Sequence, residues 1–169
     1  MKETFQGLRN VKELNVSHFN TGNVLDMFGL FRFCSSITSI DLSHFNFSNL
    51  SSFDAFFKGC SQLKSVNLSS VYAPYLGNME EMFMDCFNIE RIELPQKLYG
   101  IYNLNFAFFN CRRLEYINLT QLDLNEDIIS IESMFQNCYA LKSVSFPSIE
   151  AEHLNSTKKM FYGCRSLEY

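Results

Sequence analysis

Six cysteines, Cys34, Cys60, Cys86, Cys111, Cys138 and Cys164, recur at spacings of 26, 26, 25, 27 and 26 residues. A thiol can serve as nucleophile, metal ligand or half of a disulfide, and each use makes its own demand on spacing. Zinc ribbons need close C-x-x-C pairs, and the chain has none. Disulfides between stacked copies would need Cβ atoms closer than parallel side chains about 5 Å apart can supply. The pattern therefore favours a ladder of reduced, buried thiols in which cysteine acts as a small hydrophobe. His18 and His44 hold equivalent positions in adjacent copies, where a two-histidine metal site competes with a solvated or hydrogen-bonded pair. His153 is isolated. Paired carboxylates, a nucleophile elbow and a glycine-rich phosphate loop are all missing, and "NEDI" reads as a helix start. The expectation is a non-enzymatic chain with no catalytic residue, no metal and no cofactor.

The elements that place these residues come from the repeat itself. Leu8 stands 26 residues before Cys34 and opens the same phrase, so it is a first rung without sulfur. A period of this length marks a solenoid. After each rung, apolar residues fall at the third, sixth and eighth positions, as in Leu63, Val66 and Leu68. The last two alternate with polar residues, so "KSVNL" and "YINL" read as short strands with one buried face. Ahead of each rung, apolar residues such as Leu50, Phe53, Phe56 and Phe57, or Ile128, Ile131, Met134 and Phe135, suit a short helix. Asn78 with Glu81 resembles a capping box, and Asp127 is placed to cap another helix. Gly7, Gly59, Asp85, Asn110, Asn137 and Gly163 immediately precede their rungs and tolerate the left-handed conformation that ends a helix. Phe33 breaks the pattern, which predicts a less regular turn there.

Bulk properties bound the partners. The chain has 169 residues, 47% of them hydrophobic, and a net charge of −4. With no long basic run there is little support for nucleic-acid binding. No segment has the apolar length of a membrane span. The opening "MKETFQGLRN" lacks the apolar stretch of a secretory signal, so any such signal is expected to have been removed or to lie outside this sequence.

The phrase MFxxCxxLxxIxL, followed in early copies by "SHFNTGN" and "SHFNFSN", resembles the bacterial surface protein 26-residue repeat of the BspA-like leucine-rich repeat family. The likeness is weaker where "LPQKLYGIYN" and "LTQLDLNEDI" replace the Ser-x-Phe-Asn loop. The position three residues after the strand, where ordinary leucine-rich repeats place Asn or Cys, holds Phe19, Phe45, Val71, Lys97, Leu122 and Ile149, so no asparagine ladder is expected there. The expected fold is an α/β solenoid, a leucine-rich-repeat-like right-handed coil with short parallel strands on one face and short helices on the other. Residues 1–169 are expected to form a single array of about six and a half repeats, a fragment of a longer array. The chain opens inside a helix phrase and ends at "SLEY", so Met160, Phe161 and Leu167 are expected to need covering by further repeats or an adjoining chain.

The resemblance implies a binding module of a microbial surface or adhesion-type protein, at the cell surface or extracellular, with a protein or glycan partner. The alternative is a cytoplasmic protein–protein interaction scaffold or structural component of a protist assembly. Outward strand positions form a polar lattice on the concave face, from which Asp41, Asn67, Arg91, Glu93, Tyr116 and Asn118 are the candidate contacts. Arg91 and Tyr116 occupy equivalent positions in adjacent copies and are the residue types most often found as energetic anchors. Tyr72, Tyr75, Tyr99 and Tyr102 fall in the descending loops of adjacent copies, either as a recognition rim or as rings packed over the loop edges. Six Asn-x-Ser/Thr triplets occur, at Asn15, Asn46, Asn49, Asn67, Asn118 and Asn155, three of them from the strand phrase. They would carry sugar only in a eukaryotic secretory route.

Overall fold

The computed structural model describes residues 1–124, 128–149 and 152–168, and in it each copy of the repeat forms one coil stacked on the last. The strand phrase behaves as its alternation predicts. Strands β1 (Ser65–Asn67), β2 (Arg91–Glu93), β3 (Tyr116–Asn118) and β4 (Ser143–Ser145) each point their central residue inward. Strand β1 pairs in parallel with β2, setting Val66 beside Ile92, and β3 pairs with β4, setting Ile117 beside Val144. Strands β2 and β3 lie side by side but belong to separate ladders.

The expected helices do not form: no helix occurs among the described residues. In their place, the segment before each rung is a run of tight turns that builds a wall across the stack. The backbone shows why. Phe56, Lys58 and Cys60 donate their N–H groups three residues back, to Phe53, Ala55 and Phe57. The alternate residues Ala55, Phe57 and Gly59 donate instead to Glu80, Met82 and Met84 of the next coil, at 2.9, 2.9 and 2.7 Å. The same alternation recurs from coil to coil, for example at Glu81, Phe83 and Asp85, which bond to Asn105, Ala107 and Phe109. Every second N–H thus bridges to a neighbour, a pattern that an α-helix, with its bonds inside one segment, cannot provide.

Two rows of left-handed residues fix this turn geometry. Gly7, Gly59, Asp85, Asn110, Asn137 and Gly163 all have positive φ, as their types predict, and Phe33 joins them at φ 60°. The turn at Phe33 is therefore regular, contrary to expectation. Its bulk is accommodated because Gly59 in the next coil has no side chain: a Cβ there would collide with the Phe33 ring. The second row lies four residues earlier, at Glu3, Gly29, Ala55, Glu81, Phe106, Ser133 and Lys159, with φ between 52° and 57°. Two left-handed residues four apart leave no room for a helical turn between them. The expected capping box dissolves accordingly. Asn78 Oδ1 accepts the N–H of Glu80 at 2.9 Å, which starts the turn run, whereas Glu81 pairs with Lys58. Asp127 lies outside the described residues.

Inside the wall, Phe5, Phe31, Phe57, Phe83, Phe108, Phe135 and Phe161 stack in one column, with centroids 5.2–5.8 Å apart and planes within 15° of parallel. The cysteines line up beside them and are all free. Each thiol donates to the carbonyl of the stacked phenylalanine in the preceding coil: Cys60 to Phe31 at 3.1 Å, Cys86 to Phe57 at 3.2 Å and Cys111 to Phe83 at 3.3 Å. Those carbonyls also accept the N–H three residues on in their own coil. A small side chain with a weak donor fits this place, where a larger one would force the coils apart. Burial pushes the thiols of Cys60, Cys86, Cys111 and Cys138 well above the ordinary range.

Candidate partner-binding surface

The strand face brings together part of the candidate set. Arg91, Tyr116 and Asn118, with Ser143 and Ser145, line a shallow depression of about 500 Å³ that crosses from β2 to β4. The Arg91 side chain is 76% exposed and pairs with Glu93 in its own strand. Tyr116 is 57% exposed. Lys142 stands over the Tyr116 ring, 5.4 Å from its centroid, and bonds to Glu115 at 2.6 Å, which raises its pKa. The depression thus combines an aromatic plane, an ion pair and a row of hydroxyls.

The other lattice residues already have work within the fold. Asn118 Oδ1 accepts both the N–H and the hydroxyl of Thr120, at 3.0 and 2.7 Å. Asn67 does the same for Ser69, and Asn15 for Ser17. Asp41 accepts the N–H of Ser43, and that bond holds its carboxyl below the usual range. These side chains form Asx turns that bend the chain out of the strand. The Asn-x-Ser/Thr phrase therefore has a structural cause, and Asn15, Asn67 and Asn118 remain exposed. Asp41 and Asn67 line a separate depression of about 440 Å³ with Ser43, Ser69, Ser70 and Val71.

The four tyrosines divide. Tyr72 and Tyr99 flank Pro74, Gln96 and Lys97 around a depression of about 380 Å³. Tyr75 stands 70% exposed. Tyr102 packs over the loop edge, because its ring fills the space above Gly77, where a Cβ would meet it at 2.7 Å. His18 and His44 are exposed, and no group of three or more metal-ligating side chains is found among the described residues.

An amide ladder escaped the sequence because it runs through the turn row. Asn110 Nδ2 donates to Asp85 at 2.7 Å, and Asn137 Nδ2 donates to Asn110 at 3.0 Å. Beside it, the rings of Phe87 and Tyr139 alternate with guanidinium groups. Arg112 lies 4.4 Å from the Phe87 centroid, and Arg165 lies 5.2 Å from that of Tyr139. Aligning the copies by rung would have shown both rows, since each occupies one position of the repeat.

A family comparison agrees with this repeat architecture. The family model described as a BspA type Leucine rich repeat region (6 copies) matches residues 79–169. The chain belongs to the BspA-type leucine-rich repeat family. A second model, described as Mycoplasma protein of unknown function, DUF285, matches residues 1–94 of this BspA-type chain. A solved leucine-rich repeat protein from Bacteroides ovatus is similar over 97% of the BspA-type chain and 55% of its own, at 18% identity and a TM-score of 0.47. The chain thus spans about half the length of that relative. No curated protein matches it. No helix among the described residues is long and apolar enough to cross a membrane.

Proposed function

We propose that this BspA-type chain is a non-enzymatic binding module of a microbial surface or adhesion-type protein, and that it recognises a protein or glycan partner. Family membership supports a protein-binding role. The observation that carries the assignment to the strand face is the depression around Arg91 and Tyr116, whose side chains are exposed and are not used to close the coil. A rigid stack varies its outward residues without altering its backbone, so recognition is built by substitution on a fixed frame. Tyr72 and Tyr99 extend the contact onto the loop rim. The partner spans several coils and meets a face of mixed, nearly balanced charge. Screening the purified chain against a glycan array and a panel of immobilised surface proteins, beside Arg91→Ala/Tyr116→Ala and Tyr72→Ala/Tyr99→Ala, tests this. Loss of the selected contact in the first variant supports the strand-face site. Full retention in both folded variants contradicts it.

A further inference from the structure

The turn wall carries a second exposed surface, separate from the strand face. Phe106 and Phe109 pack edge to face with centroids 5.8 Å apart, and both are partly open to solvent. Met84, also partly exposed, holds the same position as Phe109 in the preceding coil, where the N–H of Asp85 bonds to the Phe109 carbonyl. The repeat does not require an apolar residue at these places. At the position of Phe109, other coils carry Gln6, Arg32, Lys58 and Gln136, and the last carries the exposed Tyr162. Phe106 has φ 56°, in a row where glycine or asparagine would cost least, and a bulky aromatic side chain there is strained. The repeat sets this backbone conformation in every coil, so the departure at Phe106 is the aromatic side chain itself.

Glutamates stand on the turns that neighbour Phe106. Glu80 and Glu81 lie in the coil before Phe106, and Glu132 in the coil after it, its carbonyl accepting the Phe106 N–H at 3.0 Å. Lys58 neutralises Glu81. Glu80 and Glu132 meet only neutral donors, Asn103 at 3.0 Å and Ser156 at 3.5 Å, and neither forms an ion pair among the described residues. Lys158 continues the row after Glu132 without pairing to it. The negative field is felt locally: burial, then Glu80 and Glu81, push the Asp54 carboxyl up to about 6.

We propose that Met84, Phe106 and Phe109, rimmed by Glu80, Glu81 and Glu132, form a docking surface for a cationic amphipathic protein segment. Such a segment would lay aromatic or aliphatic side chains on the patch and lysine or arginine residues on its rim. Charge complementarity supplies orientation, and the apolar centre supplies most of the affinity. The site is independent of the strand face, so either can fail alone.

The test uses a fluorescent peptide of alternating lysine and phenylalanine blocks, an all-lysine control and the intact chain, read by anisotropy at low and high salt. The Lys/Phe peptide should bind, and the all-lysine peptide should bind about tenfold more weakly. Phe106→Asn/Phe109→Gln should weaken binding about tenfold without lowering the melting temperature, because asparagine tolerates the left-handed backbone. Glu80→Gln/Glu132→Gln should remove several-fold of affinity and most of the salt dependence. Arg91→Ala/Tyr116→Ala should bind as the unmodified chain does. The proposal is overturned if the Lys/Phe peptide does not bind, if either wall variant retains full affinity, or if loss is confined to the Arg91/Tyr116 variant.

Discussion

The turn wall and the descending loops belong to the same coils, yet one is nearly constant and the other varies. In the wall, seven phenylalanines stack and the six thiols repeat one hydrogen bond. In the loops, "SHFNFSN" of an early coil gives way to "LPQKLYGIYN" two coils later. The difference follows from where backbone groups are satisfied. Wall N–H groups bond to the neighbouring coil, so any change there must suit three coils at once. The loops bond across coils at scattered places, as from Leu98 to Gln121, and add local acceptors, as where Asn20 and Asn46 each take the N–H two residues on, at 3.2 and 2.9 Å. Regularity therefore marks the part that builds the stack, and variation marks the part free to acquire contacts.

The sharpest contrast to break is between neighbouring wall residues. Phe83→Ala removes a fully buried ring from the stack and should cost about 3–5 kcal/mol. Met84→Ala, one residue along and partly exposed, should cost under about 1 kcal/mol. Urea titration of both variants checks this, and equal losses would mean that the wall is not phased as described. Next in size is the thiol row. Cys86→Ala should cost about 1–3 kcal/mol, since it opens a small void and leaves the Phe57 carbonyl without one donor. Thiol titration should find all six cysteines free after denaturation and slow to react while folded, with the half-buried Cys164 reacting before the rest.

A smaller effect separates the wall's inner and outer faces. Asp54 has its carboxyl raised to about 6 in the folded chain, from an ordinary 3.8. Between those values the folded chain holds a proton that the unfolded chain has released, so stability falls as pH rises through the window. The deficit is complete above about pH 6. Asp54→Asn should therefore stabilise the chain near neutral pH, by about 1 kcal/mol after allowing for solvent screening at this partly exposed group. The gain should vanish at pH below the ordinary carboxylate range, and a pH series of urea midpoints for the two proteins would show it.

What the sequence disclosed follows the same division. Strand phase was legible because period-two alternation around Val66, Ile92 and Ile117 admits one buried face. The thiol ladder and the neighbouring placement of Arg91 and Tyr116 followed from the repeat length alone. Helices were the wrong expectation for the wall because apolar residues at Phe53, Phe56 and Phe57 suit a helix and a turn run equally. What decides between them is hydrogen bonding to the next coil, which a single copy does not reveal. The left-handed row at Gly59, Asp85, Asn110 and Asn137 was legible from residue type; the row at Ala55, Glu81, Phe106 and Ser133 was not, because those types give no such signal. At the candidate site, the exposed Arg91 and Tyr116 could be foreseen by phase. The engagement of Asn67 and Asn118 in Asx turns could not, since it depends on the bend that follows the strand.

The account rests on a wall whose amides reach across coils, and one bond tests it directly. Scalar coupling through the hydrogen bond of Phe83, measured by NMR on the isotope-labelled chain, should link its amide nitrogen to the carbonyl carbon of Ala107, 24 residues ahead, where the nitrogen lies 2.8 Å from the carbonyl oxygen. Coupling to Met79, four residues back, would instead make this segment a helix and contradict the account.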